Sequence, residues 1–351
     1  MPSVTVHLIR HAQGFHNLGV EFHSLTDPRL TPLGQSQCLD LQKAHFPPTS
    51  QRRISLIAAS PLNRTLHTAF ITFQPLLDST HPDHAEASQG SKLRKPEIFA
   101  LPDAQETSDF PCDTGSAPNT LAEVVKEQKW PVDLSLLNEQ WTNKALGTRY
   151  SPNANAIKAR AKTARTWLRE KAAELLQQYP DEDVQLVLVT HGGYLHYFTD
   201  DWEDATKGLG TGWDNCETRA YVFENGIVAP EGTDPDVDAR LVETLDSRKR
   251  RGKQGPTLGW EDQRKWEEKT YEGWQKVGLQ RPDEIGVEGK EWKSGLNVQK
   301  TEAALKHEQQ TSDQDAAGPG VRQVESDNIA SDMAGELQRE RRSSVTVRAQ
   351  A

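Results

Sequence analysis

The sequence predicts an α/β protein: a three-layer α/β/α sandwich around a mostly parallel sheet, followed by a long polar C-terminal extension. Three observations lead there. Short β-branched runs recur without polar alternation, as expected of strands covered by helices on both faces. Stretches with helical apolar spacing lie between them. Each run also ends in polar or small residues, at the strand ends where open α/β sheets place their ligands.

The strand candidates are residues 4–9 (VTVHLI), 54–59 (ISLIAA) and 184–189 (VQLVLV), with residues 219–224 (RAYVFE) as a later strand at the sheet edge. A helix is expected to start near Pro32. A second opens after Ser60 with Pro61 in its first turn, where the missing N–H costs nothing. The surest helix covers residues 155–179, where Ile157, Ala161, Ala164, Leu168, Ala172 and Leu175 recur every three or four positions. Residues 78–130 are polar and turn-rich, with Asn119 expected to cap a short helix. The first half of this excursion reads as disordered and the second as a loop over the active site.

The composition divides along the chain. The hydrophobic fraction is 35% and mean hydropathy is -0.74, low values that a polar segment diluting a normal core would produce. Residues 1–229 read as the catalytic domain and 230–308 as a charged, partly helical extension carrying Trp260, Trp266, Trp274 and Trp292. Residues 309–351 read as a disordered tail, because so polar a segment cannot repay its ordering entropy. Three readings of the tryptophan segment stay open: docking on the core, binding a protein partner, or a flexible tail with transient helix.

Net charge of -10 at pH 7 argues against nucleic acid bound through a broad basic face. It leaves room for a small phosphorylated substrate held by a few converging arginines. Cys38, Cys112 and Cys216 form no disulfide framework. Neither a basic-apolar leader nor a run of roughly 18 apolar residues is present, so no membrane association is expected. A cytoplasmic location follows as the expectation, with the nucleus also open.

The chemistry-bearing residues stand at three strand ends. Arg10 and His11 follow the first run, Arg64 the second, and His191-Gly192-Gly193 the third. An imidazole on a rigid strand end is a competent nucleophile when its other nitrogen is held by a carbonyl. A guanidinium fork matches phosphate oxygens, and the glycines allow backbone to approach a ligand. Each residue alone has an ordinary structural explanation, but their joint occurrence is harder to explain so.

The segments LIRHAQGFHN, ASPLNRTLHTA and VTHGG resemble the signatures of the histidine phosphatase superfamily, in its phosphoglycerate-mutase-like branch. The resemblance covers residues 4–225. It implies that His11 is transiently phosphorylated and that Arg10, Asn17, Arg64, His191 and the backbone near Gly192 hold the phosphoryl group. It assigns the proton donor to the variable excursion, where Glu106 is the best match, with Asp109 and His16 as alternatives. Two departures stand out. The motif reads RHAQG, with Ala12 and Gly14, as in a subgroup that also carries Cys112-Asp113-Thr114-Gly115. Gly192 stands where the acid phosphatase branch has Asp, which moves the proton donor towards Glu106.

On this reading His11 attacks phosphorus in line while Arg10, Arg64 and His191 stabilise the equatorial oxygens. His11 is neutral and His191 cationic, and Glu106 protonates the leaving alkoxide. No metal or other cofactor is called for, since cationic side chains do the neutralising. Asn215 and Glu217 are candidates for the floor of the site or for a strand end. Cys112 reads as a small buried residue, and His196 as packing behind the late motif. The expected activity is phosphomonoester hydrolysis. The alternatives are mutase-type transfer to a second hydroxyl, and non-catalytic binding of a phospholigand or protein.

Overall fold

The three uninterrupted apolar runs become the middle of the sheet. A computed structural model describes residues 2–93, 95–206, 211–227 and 239–317. Its strands are β1 (Val4–Arg10), β2 (Ile54–Ala59), β3 (Ile98–Ala100), β4 (Val132–Asp133), β5 (Val184–Thr190), β6 (Thr218–Phe223) and β7 (Leu241–Glu243). They lie in the order β4-β3-β2-β5-β1-β6-β7. The first five in that order are parallel, and β6 and β7 are antiparallel. β7 pairs outside β6, so residues 219–224 are not the sheet edge expected from sequence.

The central strand β5 shows why its run lacks polar alternation. Leu186 and Leu188 enter one core with Val6 and Leu8, while Val187 and Val189 enter the other with Ile9 and Ile57. Successive side chains point to opposite faces, so both sets must be apolar when helices cover both faces.

The helices on these faces include α1 (Pro32–His45), α2 (Pro48–Gln51), α3 (Asn63–Leu77), α4 (His84–Ser88), α5 (Pro118–Glu127), α6 (Ala154–Gln178) and α7 (Gly192–Thr199). α1 starts where Pro32 predicts, capped by Thr31, whose hydroxyl accepts from the Gly34 N–H at 3.0 Å. In α3 the start falls two residues later than Pro61 suggests. Its exposed amides are met from a distance, with the Asn63 N–H donating to Asp27 Oδ1 at 2.9 Å. Asn119 lies inside α5, whose flanking residue is Ala117. The first half of the excursion is ordered through residue 93: α4 packs near α3, with His84 Nδ1 2.9 Å from the Pro75 carbonyl.

Described residues beyond 238 fold back onto the sheet and its helices, with β7 as its outer strand. Of the three readings of the tryptophan segment, docking is the one seen. In the helix Trp260–Lys276, Tyr271 and Trp274 are buried in the core beneath α7. Tyr271 and Tyr197 hydroxyls meet at 2.7 Å, and the Trp202 N–H donates to Gln263 at 2.7 Å. The last described helix, Glu302–Ala317, sets Ala304 against Phe22 and Leu25. The expected boundary at 229/230 and the part of the expected tail from 318 onward lie outside the described residues.

One contact ties helix packing to the loop after β1. A Cβ on Gly34 would collide with the Gln13 carbonyl oxygen. Gly34→Ala should therefore destabilise the protein by roughly 1–3 kcal/mol through overpacking, seen as a lower urea midpoint. An unchanged midpoint would show that the loop yields freely.

Candidate active site

Register brings the three strand ends together. Arg10 pairs with Thr190 and Ala59 with Val189, so the residues that follow these strands emerge side by side. Backbone bonds extend the alignment: the His11 N–H donates to Thr190 O at 2.9 Å and the Ser60 N–H to Val189 O at 3.0 Å. His11, Arg64 and His191, which the sequence proposes together, are in mutual contact here.

His11 is buried, with Nδ1 2.7 Å from the Ala12 carbonyl. A carbonyl only accepts, so Nδ1 carries the proton and Nε2 is left with its lone pair. Arg64 Nε donates to that Nε2 at 3.3 Å. Burial, then the charges of Arg64 and Arg10, hold the His11 pKa well below the usual imidazole range.

Arg64, fully buried, spends its fork on several partners. Nη1 donates to the Cys112 carbonyl at 2.6 Å. Nη2 donates to Asp113 Oδ1 at 2.8 Å and to His191 Nδ1 at 3.1 Å. Since His191 Nδ1 accepts, its Nε2 carries the proton, donated to Ser60 Oγ at 2.9 Å. Burial and the Arg64 charge depress His191 as they do His11. The expected contrast, with His11 neutral and His191 cationic, is therefore absent among the protein groups alone.

Glu106 sits at the N-terminal end of α7, where amides point at its carboxylate. Oε1 accepts from the Tyr194 N–H at 2.8 Å and Oε2 from the Gly193 N–H at 3.1 Å. Burial, then the nearby Asp113 charge, push its pKa above the usual carboxylate value despite these bonds. Two residues that the sequence did not single out hold its loop. Arg160, inside α6, donates to the carbonyls of Asp103 and Glu106 at 2.7 and 2.9 Å. Buried Lys144 donates to those of Glu106 and Ser108 at 3.2 and 3.1 Å. Burial lowers the Lys144 pKa to about 7.

The remaining candidates separate. Asn17 Oδ1 accepts from the Gly14 N–H at 3.0 Å. Asn215 donates to the His11 carbonyl at 3.0 Å, so it supports the loop that Asn17 closes. Glu217 accepts from the Asp214 N–H and from Arg219, a strand-end role. Asp109 does not border the cleft that Glu106 lines; its oxygens accept from Gln280, Ser294 and the Gly295 N–H at 2.6, 2.6 and 2.9 Å. The His16 ring lies 5.3 Å from His11, and burial followed by the Arg64 charge depresses its pKa. Cys112 contributes its carbonyl, and burial raises its thiol pKa. His196 stacks on Trp202 at 5.2 Å, behind the late motif. Gly192 opens α7 and backs on Thr211.

Arg10, His11, Asn17, Glu106, Asp113 and Gly193 all border one cleft of about 150 Å³. Arg64 and His191 lie behind His11. Arg10 Nη1 is bonded to the Trp213 carbonyl, and among the described residues its buried Nε–H meets no acceptor. No group of three or more His, Cys, Asp or Glu residues suited to a metal ion occurs among the described residues. No described helix is long and apolar enough to cross a membrane.

A family model described as "Histidine phosphatase superfamily (branch 1)" matches residues 6–85, which contain β1 from Val6 onward, β2 and Arg64. The chain is 28% identical over 247 residues to an Arabidopsis thaliana "Phosphoglycerate mutase-like protein", covering 62% of this chain and 84% of that one. It is 24% identical over 266 residues to "Phosphoglycerate mutase-like protein 1" of the same plant, covering 69% and 89%. A solved structure, the ecdysone phosphate phosphatase from Bombix mori, matches with a TM-score of 0.38 and 15% identity, covering 66% of this chain and 95% of that one.

Two outcomes follow from the geometry. Asp113→Ala leaves Arg64 buried without its carboxylate and should cost about 3–5 kcal/mol, measured by chemical denaturation; a loss below about 1 kcal/mol would show the pair to be dispensable. Stability should also fall in mild acid. Histidines 11, 16 and 191 are depressed, and burial takes His7 and His67 to about 4. The unfolded chain gains protons below its ordinary value of 6.5 while the folded chain does not. Stability is therefore complete above that value and lost as pH falls towards 4. The melting temperature should drop clearly between pH 7.5 and pH 5; equal values would contradict the neutral histidines.

Proposed function

From the premise that the chain belongs to the histidine phosphatase superfamily, in its phosphoglycerate-mutase-like branch, we propose that it hydrolyses small phosphomonoesters through a phosphohistidine on His11. The observation that carries this reading is the tautomer of His11. Its Nδ1–H is held by Ala12, and its unprotonated Nε2 faces Arg64. A histidine serving only to bind an anion would be better as a cation.

The steps balance without a cofactor. His11 Nε2 attacks phosphorus as the bond to the leaving oxygen breaks, and Glu106 gives its proton to that oxygen. Water then attacks the phosphohistidine, Glu106 takes the proton of the water, and the N–P bond breaks to release phosphate and restore His11. The raised pKa of Glu106 suits both halves, since the group must hold a proton first and accept one later. Arg10 and Asn17, which border the cleft, hold the equatorial oxygens, and Arg64 and the Gly192 amide join them as the Arg64 bond to His11 Nε2 gives way to the bond to phosphorus. An arriving dianion opposes the burial and Arg64 effects on His191, drawing a proton onto it and making it a further clamp.

Transfer of the phosphoryl group to a second substrate hydroxyl is the other reading, favoured by the names of the Arabidopsis relatives. It shares the first half-reaction.

Incubation with a labelled phosphomonoester and acid or base quench tests the proposal. Wild type should form an acid-labile, base-stable phosphoenzyme, and His11→Ala should lose both label and turnover. Glu106→Gln should slow turnover by roughly 10²–10⁴-fold and flatten the alkaline limb of its pH profile. Full activity in His11→Ala would refute the assignment.

A further inference from the structure

Past the cleft and its phosphoryl-binding groups lies a groove of about 650 Å³. Arg10, His16, Asn17, His23, Thr211 and Trp274 border both, so the two spaces adjoin. Leu18 and Val20 bring the outer groove one wall from the loop after β1. Trp274, Val277 and Leu279 bring another from the C-terminal tryptophan helix and the turn after it, and Trp213, its buried ring covered by the Arg219 guanidinium, borders the groove from the segment before β6. Val20 and Val277 are 67% and 55% exposed, so both walls end in an exposed valine. The Trp274 ring is held in place by Tyr271 and Trp202, with centroids at 5.8 and 6.2 Å.

The charges in this groove are as informative as its shape. Among the described residues lining it, Arg10 is the one Lys or Arg and Asp214 the one carboxylate. Arg10 is already engaged by the phosphoryl group in the proposed reaction. In the protein without ligand, burial lowers the pKa of His16 and His23, so neither is a standing cation in the groove. A second phosphate or a carboxylate on the leaving group would meet Asp214 there and, among the described lining residues, no Lys or Arg beyond Arg10. An apolar ring would lose nothing of this kind and would gain contact with Leu18, Leu279 and the two valines, and with the edge that Trp274 leaves to the groove.

We propose that this groove is the leaving-group subsite, and that its substrates are phosphomonoesters of apolar, ring-bearing alcohols without a second anionic group. The inference rests on the hydrolytic reading above and narrows it to a substrate class. It also gives the C-terminal extension a role in specificity, through Trp274 and Val277.

Steady-state kinetics of the full chain on three alkyl phosphates tests this: naphthylethyl phosphate, glycerol phosphate and phosphoglycerate. Their alkoxide leaving groups are chemically alike, so differences report binding in the groove. Burial of a ring presenting about 100 Å² of apolar surface should favour the naphthylethyl ester in kcat/KM by on the order of a hundredfold. Trp274→Ala should lower the naphthylethyl-to-glycerol ratio by about tenfold, and Trp274→Phe should largely preserve it. Val277→Arg, at an exposed position where folding is not at risk, should lower the naphthylethyl-to-phosphoglycerate ratio by about tenfold. Phosphoglycerate turned over as well as the naphthylethyl ester, or ratios unmoved by Val277→Arg, would overturn the subsite while leaving hydrolysis intact. Absence of both turnover and acid-labile label with all three would overturn the hydrolytic reading, and this inference with it.

Discussion

A single buried guanidinium organises the site. Arg64 reaches His11, His191, Asp113 and the Cys112 carbonyl from one side chain at the start of α3. A cation so far from water is tolerable only when charge and hydrogen-bond partners surround it. Asp113 provides the charge, and two imidazoles provide acceptors by remaining neutral. The neutral state of the nucleophile thus follows first from its own burial and then from the charge of Arg64 beside it. The same field bears on His16, which lies in the next turn of chain.

The fold makes that convergence inexpensive. β5 lies between β2 and β1, and in-register parallel pairing places the ends of all three at one level. Parallel strands with both faces buried cannot slip by one residue without turning core side chains to the wrong layer. Strand register, set by ordinary core packing, therefore sets the spacing of Arg10, His11, Ser60 and His191. The elements that complete the site come from farther away and depend on individual polar bonds. Arg160 and Lys144 grip the backbone around Glu106, and Asp109 is tethered by residues 280, 294 and 295. The chain beyond the sheet thus holds the same loop from its outer side.

Much of this was legible in the residues. Strands buried on both faces announce themselves as unbroken apolar runs, and residues 54–59 match β2 end to end. β3 and β4, three and two residues long, are too short to show any period. The tryptophan helix was obscure for another reason. Its buried positions are Gln263, Glu267, Thr270, Tyr271 and Trp274, a helical spacing filled mostly by polar residues. They face polar partners, the Tyr197 hydroxyl through Tyr271 and the Asp201 carboxylate through Gln263, so hydropathy does not reveal the face. Among site residues, those at strand ends carried a positional signal. Asp113 stood in a segment already noted, yet nothing local says that a carboxylate pairs with an arginine 49 residues away. His191 looked cationic because a phosphate clamp should be; its burial, which no local residue reveals, and then the Arg64 charge beside it favour the neutral form instead.

Nitrogen-15 NMR of histidine-labelled protein, with the His11 signals assigned by their loss in His11→Gln, reads the state of the nucleophile directly. With Arg64 buried against it, His11 should show a protonated Nδ1 and an unprotonated Nε2, unchanged from pH 8 down to below the ordinary imidazole value of 6.5. An imidazolium near neutrality, or a proton on Nε2, would contradict the account.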